Sequence, residues 1–156
     1  MSVTTERQLA VPDGNLVLDL FVLHQRVAEF MEVALAGTGV RPSEFAVYSQ
    51  LGVAGPMTPR EISRRLGLTA STLSGILAAI ERRGDVRRRD NPDDGRSYRV
   101  ELTADGKDRL RACRTSFRKA LRRLEQALPQ PAAELRAGLL AIDGATREAI
   151  SSLRSS

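Results

Sequence analysis

The chain has 156 residues, of which 42% are hydrophobic, so it is long enough to build the core of one domain. Its formal net charge of +5 favours an anionic partner. A single cysteine excludes an internal disulfide, and one cysteine with one histidine makes a zinc site within the chain unexpected. There is no basic-then-apolar signal segment, and Asp19 interrupts the longest apolar stretch, so we expect a cytoplasmic protein that does not enter a membrane.

The first predicted helix covers roughly residues 15 to 36, after a tail formed by residues 1 to 13. Apolar residues recur at spacings of three and four from Leu16 to Ala34, and Asp13 is a candidate N-cap. The apolar stripe is wide, so we expect it to be covered on more than one side. A second helix starts near Pro42 and should turn Phe45, Tyr48 and Leu51 inward.

Two short helices follow, joined by a tight turn. Thr58 is placed to cap the first, with Pro59 at its first position and Glu61 completing a capping box. Gly67 should end this helix, and Thr69 should start the next. The inward positions of that next helix are Leu73, Ile76, Leu77 and Ile80.

After Gly84 the period of the sequence changes from helical to alternating. The segment NPDDG has the composition of a turn, and Tyr98, Val100 and Leu102 alternate with polar residues, which predicts a β-hairpin over residues 86 to 102. Thr103 then caps a long helix with a coiled-coil-like apolar seam, and PQP at 129 to 131 separates it from a last helix. The fold class is therefore mainly α with a small β-hairpin.

Two short helices joined by a glycine turn and followed by a hairpin form a winged helix-turn-helix. In this arrangement the second helix enters a DNA major groove about 12 Å wide, and the hairpin, or wing, reaches the neighbouring groove.

Twelve positions between residues 58 and 106 follow one spaced pattern: Ile80, Glu81, Gly84, Val86, Arg88, Pro92, Asp94, Arg96, Val100, Leu102, Thr103 and Gly106. With this pattern, residues 58 to 106 resemble the DNA-binding core of the MarR family, the multiple-antibiotic-resistance regulators. Ile80 and Ser63 depart mildly from the family pattern. Asp85 stands where the family has an apolar residue, and we expect its side chain to be exposed.

The resemblance implies a single domain over residues 1 to 156. Its winged helix-turn-helix core lies at about 41 to 103 and is flanked by N- and C-terminal dimerisation helices at about 14 to 40 and 104 to 156. It also implies a homodimer that binds a palindromic operator in double-stranded DNA and acts as a repressor. Small aromatic acids or phenols are the effectors expected to release such a regulator.

The candidate DNA-binding residues lie on the helix-turn-helix and the hairpin. They are Arg60, Thr69, Ser71, Thr72, Ser74, Arg87, Arg89, Asp94 and Arg96. The resemblance places Arg96 in the minor groove with Asp94 as its acidic partner, held by a charge-assisted bond. No arginine, asparagine or glutamine starts the second helix, so DNA shape and the wing are expected to carry much of the discrimination. Arg88 is expected to brace the hairpin through a carboxylate.

Three further residues have two interpretations each. Cys113 is expected to pack in the seam rather than sense oxidants. His24 and Tyr48 are candidates for an effector site, but packing or an interface position is the simpler explanation for both.

Two other functions compete with DNA-binding regulation. A winged helix that no longer binds DNA could serve as a protein-interaction module. An enzyme is not expected, because no catalytic constellation, phosphate-binding loop or metal cluster is apparent, and no cofactor is implied.

Overall fold

The computed structural model describes residues 14 to 155. The described elements are α1 (Leu16–Leu35), α2 (Pro42–Ala54), α3 (Pro59–Leu66), α4 (Ala70–Arg82), β1 (Val86–Asp90), β2 (Tyr98–Leu102), α5 (Ala104–Ala127) and α6 (Ala132–Ser155). The predicted class, mainly helical with one hairpin, is confirmed. The chain divides into two compact units, and the boundary between them lies between Phe117 and Arg118, within α5. Among the described helices, none is both long enough and apolar enough to cross a membrane.

Helix α1 begins where the sequence predicted, but with a different cap. The side-chain oxygen of Asn15 accepts hydrogen bonds from the backbone nitrogens of Val17 and Leu18, at 3.1 and 3.2 Å. The predicted cap, Asp13, lies outside the described residues. Only Ala34 and Leu35 of α1 are buried. The expected cover on more than one side is therefore not provided by the described part of the chain.

Helix α2 supplies the centre of the core in the first unit. Pro42 occupies its first turn, where a missing N–H costs nothing, and Phe45, Tyr48 and Leu51 are buried as predicted. The ring of Phe117 packs against Phe45 with centroids 5.2 Å apart. This contact joins the first part of α5 to the winged helix.

The α3–α4 pair forms as the local sequence dictates. Thr58 and Glu61 make the reciprocal hydrogen bonds of a capping box, and Pro59 is the first helical residue. Gly67 has a φ of 66°, the left-handed conformation that lets the chain turn sharply into α4. All four predicted inward residues of α4 are buried: Leu73, Ile76, Leu77 and Ile80.

Strands β1 and β2 pair antiparallel and form the predicted β-hairpin. Val86 faces Leu102, and Asp90 faces Tyr98. The sequence did not reveal a third participant, Met57, which forms a bridge to Val100 through two backbone hydrogen bonds of 3.0 and 2.8 Å. This bridge fastens the hairpin to the segment before α3.

Helix α5 starts against the backbone at the base of the hairpin. Thr103 Oγ1 accepts a hydrogen bond from the Gly106 nitrogen and donates one to the Gly84 carbonyl. A Cβ atom at position 106 would collide with the backbone oxygen of Asp85. This explains why a glycine is required three residues after the capping threonine.

The second unit consists of the rest of α5 and α6. Its large apolar side chains are mainly exposed, and none of the α6 residues is buried. The exposed set is Leu124, Leu139, Leu140, Ile150 and Leu153. The predicted apolar seam is thus buried at Leu110 and Cys113 but is exposed at Leu124.

Candidate nucleic-acid interface

The first turn of α4 carries a cluster of exposed hydroxyl groups. Thr69 caps the helix by accepting a hydrogen bond of 3.2 Å from the backbone nitrogen of Thr72. Its Oγ1 also lies 3.1 Å from the hydroxyl oxygen of Ser71 and 2.8 Å from that of Thr72. Hydroxyl groups both donate and accept, so this turn can bond to phosphate oxygens or to base edges.

The exposed face of α4 continues with small side chains. Ser74 and Ala78 are exposed, and a Cβ atom built on Gly75 would meet nothing within 4 Å. Because no long side chain projects from this face, a large partner can approach the helix backbone closely. Such a face suits insertion into a groove.

Helix α3 presents an exposed row of cations beside its capping box. Arg60, Arg64 and Arg65 are all exposed. The backbone N–H and the hydroxyl of Thr58 hydrogen-bond to Glu61 and hold the pKa of its carboxyl below the usual value. Glu61, the acid of this helix, is therefore bonded to the cap residue Thr58.

The outer side of the hairpin holds a carboxylate between two arginines. Arg87 Nε lies 2.7 Å from one oxygen of Glu101, and Arg89 Nη1 lies 3.2 Å from the other. The bond from Arg87, and to a lesser degree that from Arg89, lowers the pKa of Glu101. Both cations are thus partly compensated within the chain.

Arg88 points to the other side of β1 and braces the hairpin as predicted. Its Nε and Nη2 each lie 3.0 Å from a different oxygen of Glu81 on α4, and its guanidinium stacks 4.6 Å from the centre of the Tyr98 ring. The bond to Glu81 raises the pKa of Arg88. This pair holds the hairpin to the last turn of α4.

The hairpin tip is organised around a buried asparagine. Asn91 donates to the hydroxyl of Ser97 at 2.6 Å and accepts from Arg99 Nε at 3.0 Å. Arg99 also pairs with Asp93 at 2.5 Å. The side chain of Asn91 therefore holds the two ends of the tip together.

The predicted charge-assisted bond from Asp94 to the Arg96 side chain is wrong. Asp94 Oδ1 instead accepts a hydrogen bond of 3.0 Å from the backbone nitrogen of Arg96, because the turn brings that nitrogen, not the guanidinium, to the carboxylate. Across residues 14 to 155, no carboxylate lies within ion-pair distance of the Arg96 guanidinium. Arg96 is an exposed, uncompensated cation at the hairpin tip.

The segment that contains the two short helices and most of the hairpin matches a known protein family. Residues 38–97, which run from the end of α1 to the hairpin tip, match the model described as the MarR family. Over this segment the chain resembles the MarR family. Its two short helices and hairpin form a winged helix-turn-helix.

Individual relatives show the same similarity. The chain is 34% identical over 98 residues to the HTH-type transcriptional repressor YetL of Bacillus subtilis; the alignment covers 62% of this chain and 59% of YetL. The chain spans between about half and two thirds of the curated relatives it matches.

Solved structures share the fold over a larger part of the chain. A probable transcriptional regulator from Pseudomonas aeruginosa is 29% identical with a TM-score of 0.71, over 83% of this chain and 96% of that one. A MarR mutant from E. coli, solved in complex with operator DNA, is 22% identical with a TM-score of 0.72, over 79% of this chain and 89% of that one.

At Asp85 the chain departs from the family pattern, and our expectation of an exposed side chain there is wrong. Asp85 is fully buried and receives hydrogen bonds from Tyr48 at 2.7 Å, Arg83 at 3.1 Å and Arg109 at 2.8 Å. Arg83 also pairs with buried Glu44 at 3.0 Å. We call these five residues the buried joint. Sequence reasoning missed it, although the unusual acid beside Gly84 was a signal.

The buried joint accounts for Tyr48. Its side chain is fully buried, its hydroxyl donates to Asp85 and accepts from Arg83, and burial, followed by the bond to Asp85, raises the pKa of the phenol. Tyr48 therefore offers no free group to a ligand. His24 is exposed on α1, so it is not packed within the described chain, and the interface position expected as the alternative stays a prediction. Its assignment as a ligand-binding residue stays a prediction.

Cys113 is fully buried, as predicted for a packing residue, and burial raises the pKa of its thiol. A thiol that stays protonated and shielded reacts slowly with oxidants.

A groove of about 330 Å³ lies between α3, α4 and the hairpin. Leu73, Leu77 and Tyr98 form its apolar wall, and Arg60 and Ser74 supply polar groups. Among the described residues, no group of three or more metal-ligating side chains is found.

Proposed function

We propose that this chain is a sequence-specific DNA-binding transcriptional regulator of the repressor type, which binds a palindromic operator as a homodimer. The observation that carries the proposal is the combination of a small, hydroxyl-rich face on α4 with an uncompensated arginine at the hairpin tip. The repressor assignment is supported by the name of the relative YetL.

The proposed contacts divide into three groups. Thr69, Ser71, Thr72 and Ser74 enter the major groove, where their hydroxyls bond to base edges and phosphates. Arg60, Arg87 and Arg89 contact phosphates at the border of the site. Arg96 enters the minor groove, and Asp94 shapes the turn that presents it.

The proposed homodimer uses the apolar surface that the described chain leaves uncovered. On α1, Leu16, Val17 and Phe21 are 57%, 73% and 63% exposed, and α6 adds Leu140 and Leu153. Apolar patches of this kind on a soluble chain mark an interface. A second copy supplies a matching patch by symmetry, as a palindromic operator requires.

The groove between α3, α4 and the hairpin is the proposed effector site. It joins an apolar wall to Arg60, a combination that suits a small aromatic acid or phenol. Arg60 and Ser74 are also proposed DNA contacts, so an effector bound there would compete with DNA directly. This site replaces the one expected beside Tyr48.

The proposal is tested by gel-shift and footprinting assays on the duplex upstream of the gene that encodes the chain. We expect protection of a two-fold symmetric site, and loss of binding when one half-site is scrambled. Protein that binds the scrambled duplex equally well, or neither duplex, would contradict the proposal. The alternative function, a protein-interaction module, would then be favoured.

A further inference from the structure

The buried joint lies where three segments of the winged helix meet α5. Glu44 and Tyr48 come from α2, Arg83 is the C-cap of α4, Asp85 precedes β1, and Arg109 lies on α5. The two carboxylate oxygens of Asp85 have different partners. Oδ2 accepts hydrogen bonds from Tyr48 and Arg83, and Oδ1 accepts one from Arg109.

The backbone of Asp85 is fixed at the same place. Its nitrogen donates to the carbonyl of Ile80 in α4, and its carbonyl accepts from the nitrogen of Thr103 before α5, both at 3.0 Å. The close approach of Gly106 leaves no room for this carbonyl to move toward α5. The end of α4, the start of the hairpin and the start of α5 are thus tied to one residue.

Stability alone is a weak explanation for such a network. Burial of a carboxylate costs several kcal/mol per ion in proteins, and the attraction of its partners commonly does no more than repay that cost. An apolar residue at this position, as the family pattern has, avoids the cost altogether. Each buried side-chain polar atom of the described residues has a hydrogen-bond partner. A fully bonded network of this kind is better suited to fixing one arrangement of the segments that it joins.

We propose that Asp85 is a positioning residue: through Arg109 it fixes the orientation of α4 and the hairpin relative to α5, and so restricts the half-site spacing that the dimer accepts. The inference rests on the proposed function, because spacing has meaning only for a dimer on a palindrome. In a homodimer, each DNA-binding unit is joined to the partner through its flanking helices, and α5 is the one that leaves the winged helix. If the buried joint were flexible, each winged helix could change its orientation relative to α5 and bind a half-site at a different spacing.

The test begins with selection of duplexes from a random pool by the wild-type protein. A panel is then made from the selected palindrome with one or two base pairs inserted or removed at its centre. Each single insertion rotates one half-site by about 34° around the DNA axis. Dissociation constants are measured by fluorescence anisotropy for the wild type, Arg109→Gln and a matched control, Arg111→Gln. Arg111 is an exposed arginine on the same helix, paired with Asp108.

We expect the wild type and Arg111→Gln to lose roughly tenfold or more in affinity for each shifted spacing, and Arg109→Gln to lose less than about threefold. Arg109→Lys keeps the positive charge but lacks the planar set of guanidinium N–H donors, so its loss of affinity should be intermediate. Equal spacing penalties in all four proteins would overturn the inference and leave the proposed function intact. Loss of folding in both Arg109 variants, seen by thermal unfolding, would also overturn it, because the joint would then be a stability element. If the wild type selects no duplex, the proposed function fails and the inference fails with it.

Discussion

Among residues 14 to 155, four arginines of the hairpin have carboxylate partners, and Arg96 does not. Arg87 and Arg89 share Glu101, Arg88 pairs with Glu81, and Arg99 pairs with Asp93. A paired guanidinium gives up an existing interaction when it moves to a phosphate, so its net gain is reduced. At the scale of single residues, Arg96 is therefore the hairpin cation from which the proposed DNA binding gains most.

The change Arg96→Ala should weaken operator binding by roughly ten- to a hundredfold, in line with the 1 to 3 kcal/mol carried by one well-placed arginine contact. Fluorescence anisotropy gives the affinity, and thermal unfolding should show an unchanged midpoint because the side chain is exposed. Arg136→Ala, an exposed arginine on α6, removes the same charge and serves as the control. An equal loss in both variants would mean that only net charge matters at position 96.

The change Glu101→Gln should strengthen DNA binding. It releases Arg87 and Arg89 from their shared carboxylate and removes a negative charge from the hairpin. We expect a steeper fall of the association constant with salt, by about one released counterion for each freed arginine. The comparison is with Glu134→Gln on α6, which changes the net charge equally. If the salt dependence of the association constant were identical for the two variants, Arg87 and Arg89 would not be DNA contacts.

At the scale of elements, the tightest packing lies where α5 meets the base of the hairpin. The change Gly106→Ala places a methyl group against the backbone oxygen of Asp85, which cannot move without displacing β1 or α5. We expect a loss of about 1 to 3 kcal/mol or more in the free energy of unfolding, measured with urea. Gly75→Ala in α4 is the control, because its methyl group meets nothing and alanine favours a helix. A variant at position 106 as stable as the wild type would refute the close approach.

Local chemistry made most elements predictable. Thr58, Pro59 and Glu61 define the start of α3 by contacts within four residues, and the alternation of Tyr98, Val100 and Leu102 defines β2. Asp85 was misjudged because its partners Tyr48 and Arg109 are 37 and 24 residues away, beyond any local pattern. An acid between Gly84 and Val86 looks exposed until its two distant donors, Tyr48 and Arg109, are known.

The candidate site was predictable to a similar extent. The small polar face of α4 and the bracing role of Arg88 followed from spacing and family pattern. The pairing of Arg87 and Arg89 with one glutamate, and the turn that directs Asp94 to a backbone nitrogen, depend on side-chain conformations that spacing does not determine.

At the scale of the whole molecule, the exposed apolar side chains of α1 predict the assembly. The change Phe21→Glu should shift the protein from the proposed dimer to a monomer, because it would bury a charge in the proposed interface. Val53→Glu is the matched control, since Val53 is an isolated apolar residue on α2 that is 80% exposed. Sedimentation velocity at several concentrations distinguishes the two states. A Phe21→Glu protein that remains as dimeric as Val53→Glu would place the interface elsewhere.

The most direct test of DNA recognition is a titration of the footprinted duplex with the full chain, followed at increasing salt. A repressor of the proposed kind binds two chains per palindrome, binds a single half-site far more weakly, and loses affinity linearly on a log–log plot against salt concentration. One chain per duplex, or equal affinity for the palindrome and an unrelated sequence, would contradict the account.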